Sequence, residues 1–217
     1  MIASTQDLPL NGNYFAECDY LSQDLKSGTI ANRAGARVLA LTDDFLIAMH
    51  NSLEAQLGEK AVAVLAQFTR DWGRRAAEQF SAEIENHHGK PLTQLPLGLF
   101  AADLAEAFRH HGWGVIRFDF TRYAEGLIGV EINQPIVGSI VKPANRPVDR
   151  MLGEFLAGMF SQFAGEDLAV LQTECRSCGS ASSQFVVTIP ERIRSVEKLA
   201  EAGKSHAQIV EVLCRPA

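Results

Sequence analysis

Apolar positions along this chain follow two periods, and the change between them predicts the layout of the fold. Thr42 reads as an N-cap with Asp43 and Asp44 in the first turn, and Phe45, Leu46, Met49, Leu53 and Leu57 recur at spacings of three and four as far as Gly58. A stripe that opens on a capping residue and stops at glycine predicts a helix. Ala61, Leu65, Phe68, Trp72, Ala76, Phe80 and Ile84 mark one face of a longer helix, of roughly seven turns, out to His87-His88-Gly89. After a connector from Pro91 to Pro96, Leu97, Ala101, Leu104 and Phe108 define a third, ended by His110-His111-Gly112.

Beyond Trp113 the period falls to two. Ile116, Phe118 and Phe120 alternate with Arg117, Asp119 and Thr121, and past a turn at Glu125-Gly126 the residues Ile128, Val130 and Ile132 alternate with Gly129 and Glu131, which predicts a β-hairpin with one apolar face. A connector holding Pro135, Pro143 and Pro147 leads to a helix whose stripe, Leu152, Phe155, Leu156, Met159, Phe160 and Phe163, is the most hydrophobic in the chain. A second hairpin, near Leu168 to Glu174 and Gln184 to Ile189, turns through the Gly/Ser-rich run after Cys178 and ends at Pro190. Two short helices close the sequence, Arg192 to Ala202 and Ser205 to Leu213, the latter with Ser205 and Gln208 spaced as a capping box. Residues 1–32 show neither period and read as an irregular arm over the surface. This order predicts an α+β fold, helices packed on a four-stranded antiparallel sheet made of two hairpins.

Composition sharpens what such a fold can do. The 217 residues are 47% hydrophobic and 21% charged, with 20 Lys+Arg against 26 Asp+Glu, a net charge of -6. No basic run offsets that balance, so nucleic acid is not an expected partner; the weak helix-turn-helix spacing of the last two helices is countered by Glu191, Glu197, Glu201 and Glu211. No segment has the ~20 consecutive apolar residues of a membrane span, and Met1 to Leu10 lacks the pattern of a secretory signal. A cytoplasmic location is expected, with peripheral membrane association left open.

Candidate chemistry is sparse. Cys175-Arg-Ser-Cys178 has the spacing of a zinc half-site or a dithiol, yet Cys18 and Cys214 stand apart at the chain ends, and the pair sits where a strand enters a turn rather than at a helix N-terminus. Structural, metal and redox roles stay open for it on spacing alone. The pairs His87-His88 and His110-His111 end helices, where imidazoles can meet the last carbonyls. Dinucleotide, P-loop, nucleophile-elbow and kinase signatures are all missing from the sequence, so no catalytic residue is expected. What stands out is aromatic and sulfur-bearing bulk. A helical layer over one sheet can leave an apolar slot, with Met159, Ala157 and Gly158 as adaptable lining, and we expect Phe68, Trp72, Trp113, Phe155 and Met159 to wall a hydrophobic ligand cavity.

Gly35-Ala-Arg-Val-Leu39, Trp72-Gly-Arg-Arg75, Gly112-Trp-Gly114 and above all the run Phe155-Leu-Ala-Gly-Met-Phe-Ser-Gln-Phe-Ala-Gly-Glu-Asp-Leu-Ala-Val-Leu-Gln-Thr-Glu-Cys175, with Gly179 and Phe185, resemble the vinyl-4-reductase domain family. The resemblance covers roughly residues 33–190 and divides the chain into an arm (1–32), a ligand-binding domain (33–190) and a helical extension (191–217). It implies a fold like that of TRAPP subunits, which often dimerise through helices and hold a hydrophobic ligand or acyl chain. It also implies small-molecule binding, as in tetrapyrrole biosynthesis, sensing of aromatic compounds, or cyanobacterial photosystem assembly. Zinc-binding members carry a Cys eight residues after the position of Cys175 and an acidic residue three before it; Ser183 and Gln172 stand there, so no structural zinc is expected.

These readings converge on a dimeric, non-enzymatic carrier of a hydrophobic small molecule, a tetrapyrrole or a lipid-like ligand, serving photosynthetic assembly proteins. The alternatives are a dimeric interaction module with a filled cavity and a component of a vinyl reductase system, the latter requiring an electron source that no motif supplies.

Overall fold

The structure is a computed structural model and describes residues 12–15, 20–136, 138 and 147–215. Residues 1–11, Cys18 and Pro143 lie outside that set, whereas residues 21–32, expected within an irregular arm, hold two strands. Strands β1 (Leu21–Asp24), β2 (Thr29–Asn32) and β3 (Arg37–Val38) make a small antiparallel meander. The hairpin between β1 and β2 closes through Gly28 at φ 66°, a left-handed conformation that glycine adopts without strain. These strands are too short and too polar to announce a period in the sequence.

Helix α1 (Asp43–Leu57) and helix α2 (Glu59–His88) follow, then α3 (Leu97–His110). The main sheet consists of β4 (Val115–Asp119), β5 (Ile128–Asn133), β6 (Ala169–Glu174) and β7 (Ser183–Thr188), with α4 (Arg150–Ala164) between β5 and β6. Its antiparallel order is β4-β5-β7-β6, so the two expected hairpins join along β5 and β7, where Val130 lies opposite Phe185. Helices α5 (Pro190–Glu201) and α6 (His206–Leu213) complete the chain, and Ser205 and Gln208 form the expected capping box. The fold is α+β, as the pattern predicts.

Both faces of the sheet are covered. Phe185 and Val187 join Ile116, Val130 and Ile132 in the core under α4, while Val186 turns to the other face and meets Ile193, Val196, Ile209 and Leu213 of α5 and α6. Alternation along β7 thus feeds two cores, which is why its sequence reads as an unbroken apolar run. Arg192 fastens this outer layer, its guanidinium donating to the carbonyls of Glu125 and Leu213.

Helices α2 and α4 cross at a glycine pair. A Cβ on Gly73 would strike the carbonyl oxygen of Phe155, and one on Gly158 the carbonyl oxygen of Arg70. Backbones so close leave no slot above the sheet, and Gly158 serves this approach rather than lining a cavity. Arg70 locks the crossing from the side, donating to Glu154 at 3.2 Å and to Asp167 at 2.7 Å. The residues of α2 that face the core include Ala61, Leu65, Thr69, Gly73, Ala77, Phe80 and Ile84. The expected stripe shared Ala61, Leu65, Phe80 and Ile84 but chose Phe68 and Trp72 for their size, and these stand rotated by about one residue's turn, on the outer shoulder of the helix.

Candidate functional site

The described residues line a half-open cavity of about 130 Å³ beside the α2–α4 crossing, not between helices and sheet as the apolar slot would have been. Helix α2 supplies one wall through Trp72, Ala76, Gln79 and Glu83, spaced 4, 3 and 4 residues apart and hence on a single face. Leu104, Ala107 and Phe108 of α3 form the opposite wall, Met159 of α4 contributes from below, and Trp113 enters from the loop before β4. The remaining side is made by Phe15, Tyr20 and Asn32, residues of the arm.

Three ties hold the arm in place. His87 Nε2 donates to the carbonyl of Gly12 at 2.8 Å, the Tyr14 amide donates to Asp103 at 3.1 Å, and His110 Nε2 donates to the carbonyl of Phe15. Phe15 then stacks parallel to Phe80, with ring centroids 5.6 Å apart. Of the four helix-end histidines only His111 caps its own helix, through Nδ1 on the Ala107 carbonyl at 2.7 Å; His87 and His110 reach across to the arm, and His88 pairs with buried Asp103.

Of the expected site residues, the structure brings Trp72, Trp113 and Met159 to the cavity. Phe155 stands behind the two indoles, its ring 4.8 Å from Trp72 and 4.6 Å from Trp113, and fixes their orientation. Phe68 does not reach the cavity: it lies one turn further out on α2, 58% exposed, and only flanks Trp72. Tyr20, Asn32, Glu83 and His111 were missed. Glu83 carried a signal, as the carboxylate on the Trp72 face of α2; Tyr20 and Asn32 carried none, because their neighbourhood is created by the arm's fold.

The polar side of the cavity is a small network. Asn32 Nδ2 donates to Glu83 Oε1 at 2.9 Å and to the Tyr20 hydroxyl at 3.3 Å, and its Oδ1 accepts the Ala36 amide at 2.8 Å. Burial holds the Glu83 carboxyl above the usual carboxylate range, against the opposing hydrogen bonds from Asn32, Tyr14 and Tyr20. Burial, and then the charge of Glu83, push the Tyr20 hydroxyl well above the usual phenol range, so it remains a protonated donor.

A second polar cluster lies at the foot of α4. Asp149, fully buried, accepts from Ser183 Oγ at 2.6 Å, the Gly138 amide at 2.7 Å and Gln172 Nε2 at 3.1 Å, with Cys175 Sγ at 3.9 Å. The two places where the family resemblance implies zinc ligands thus hold an amide and a hydroxyl spent on a carboxylate. Structural zinc takes four ligands, mostly thiolates and imidazoles, and two thiols with a carboxylate already saturated by donors do not fit it. Nor does the Cys175-Cys178 pair fit a dithiol nucleophile: desolvation, and then Cys175 beside it, push the Cys178 thiol up, where such chemistry needs it lowered.

No family model matches the sequence, and no curated protein is similar to it. Among solved structures, the phenol-responsive sensory domain of the transcription activator PoxR, determined with phenol, is similar over 91% of this chain and 93% of that one, with a TM-score of 0.65 and 18% identity. The two chains share a fold. A vinyl-4-reductase family protein from Methanocaldococcus jannaschii is similar over 70% of this chain and 83% of its own (TM-score 0.48, 12% identity). Trafficking protein particle complex subunit 3 from Naegleria fowleri, covalently bound to palmitic acid, is similar over 67% and 93% (TM-score 0.47, 13% identity). Among the described residues no helix is long and apolar enough to cross a membrane.

Proposed function

We propose that this chain is a binding module whose cavity takes a small aromatic molecule. The observation that carries the reading is the cavity itself, about 130 Å³, with Trp72, Trp113, Phe108 and Phe80 around it. An apolar protein cavity of about 150 Å³ is known to hold benzene, so one six-membered ring is the right scale. The PoxR domain, which shares this fold, is described as responsive to phenol, and that supports the same ligand class. A tetrapyrrole has four linked rings and would need several times this space. The tetrapyrrole reading, with its photosynthetic partners, therefore rests on the family resemblance alone, and the volume weighs against it.

The test is isothermal titration calorimetry with benzyl alcohol. Saturable one-to-one uptake is expected, and Trp72→Ala should weaken it about tenfold, since an aromatic contact of this kind contributes roughly 0.5–1.5 kcal/mol beyond area. Absence of saturable uptake by the native chain would end the reading.

A second reading, association of two copies, has its own observation. Phe45 of α1 and Val64 and Phe68 of α2 are all more than half exposed, with Leu57 at the end of α1 at 42%. Such a stripe suits a homodimer face. Phe68→Glu is expected to shift the mass measured by light scattering from dimer to monomer; a native chain that is monomeric at tens of micromolar would remove this reading and leave the cavity untouched.

A further inference from the structure

We propose that the cavity prefers single-ring ligands bearing a cationic amine, with Glu83 as the acceptor; this rests on the aromatic-binding reading above. Among the described residues the polar lining consists of Tyr20, Asn32, Gln79, Glu83 and His111, and includes no lysine or arginine. The Asn32 amide is spent, its Nδ2 on Glu83 and Tyr20 and its Oδ1 on the Ala36 amide. His111 donates through Nδ1 to the Ala107 carbonyl, which in the neutral ring leaves Nε2 as an acceptor.

The groups that steady the Glu83 charge, Asn32, Tyr14 and Tyr20, are all neutral. Arg33 is engaged with Tyr14, lying over its ring at 5.0 Å and donating to its carbonyl at 3.3 Å. Glu83 accepts from Asn32 at 2.9 Å, from the Tyr20 hydroxyl at a long 3.5 Å and from the Tyr14 side chain, three donors for about four lone-pair sites. The cavity thus presents a partly buried carboxylate with, among the described residues, no lysine or arginine in its lining.

An ammonium group supplies what is missing. It brings three donors and a counter-charge, and charge-assisted bonds of this kind are about twice as strong as neutral ones. The indoles of Trp72 and Trp113, 5.2 Å apart and nearly perpendicular, add faces that attract a cation. A hydroxyl offers one donor and no charge, and a carboxylate meets Glu83 as a like charge.

Benzylamine, benzyl alcohol and benzoate carry one ring and heads of similar size with charges of opposite sign or none, so calorimetry of all three at pH 7 separates these terms. Benzylamine is expected to bind about tenfold more tightly than benzyl alcohol, and benzoate at least about tenfold more weakly than the alcohol, each step being about one charge-assisted contact. In Glu83→Gln the ratio of amine to alcohol should fall to within about threefold. Alcohol binding as tight as amine binding, or a ratio unchanged in Glu83→Gln, overturns the proposal while leaving aromatic binding intact. Failure of all three to bind overturns the aromatic reading itself. Should Glu83→Gln not fold by circular dichroism, exclusion of benzoate by the native chain decides: benzoate binding as tightly as the alcohol sinks the preference.

Discussion

Gly158→Ala is expected to lower the melting temperature by about 6–12 °C or to prevent folding, although alanine is the better helix former. In an open helix the change would gain close to 1 kcal/mol, because alanine gives up less backbone entropy. At position 158 the new methyl would overlap the carbonyl oxygen of Arg70 and sit 3.1 Å from the amide of Arg74, backbone atoms that cannot swing aside as a side-chain tip would. The two helices must separate, which loosens Phe155, Leu156 and Met159 against their neighbours. Overpacking of this kind costs about 3 kcal/mol or more, and for a domain of this size each kcal/mol moves the midpoint by about 2–4 °C. Gly73→Ala meets the Phe155 carbonyl in the same way and should behave alike. Gly98→Ala is the control, since nothing lies within 4 Å of its Cβ position in α3; it should leave the midpoint unchanged or raise it slightly. Scanning calorimetry of the three variants checks the account, and a Gly158→Ala protein as stable as the native chain would show that α2 and α4 do not cross this closely.

Asp149→Ala is expected to cost about 3–5 kcal/mol in urea unfolding. Asp149 is the acceptor for the Gly138 amide, the Ser183 hydroxyl and the Gln172 amide, and its removal strands these donors in a site water does not reach. Each buried donor left unmet costs about 1–3 kcal/mol, with larger values where the lost partner carried charge. Asp149→Asn should fall between, because its amide keeps one acceptor oxygen but turns a donor toward donors. Asp149 meets its donors within the protein, so EDTA is expected to leave the native melting temperature where it is. A drop of several degrees with EDTA, restored by zinc, would mean that Cys175 and Asp149 bind metal after all.

Most elements were legible where a helical or strand period runs through them. Stripes in α1, α3 and α4, alternation in β4 and β5, and the Ser205 capping box all follow from local rules, and each stands within a few residues of where the pattern puts it. The sequence was misleading on α2, where size suggested Phe68 and Trp72 as core. The helix instead turns its small residues, Thr69 and Gly73, inward, because closeness to α4 needs little side chain and large rings can be accommodated outside. Residues 21–32 were illegible as strands: β1 and β2 are four residues each, too brief for a period to show.

The same division holds for the candidate site. Trp72, Trp113 and Met159 could be chosen from the sequence because bulky apolar residues on neighbouring elements converge in any helix-on-sheet fold. Tyr20, Asn32 and His111 could not, since their roles depend on where the arm lands, and that is set by contacts spanning many residues, such as His87 with Gly12 and Asp103 with Tyr14. Likewise nothing in the spacing of Asp149, Gln172 and Ser183 says that they meet; the return of β7 beside β6 and the start of α4 brings them together. The sequence by itself determined the elements and the α+β class, because periodicity is a property of neighbours in the chain. The place, size and acceptor-rich character of the cavity were decided by tertiary structure alone, because they depend on how closely two helix backbones approach and on which distant polar groups satisfy one another.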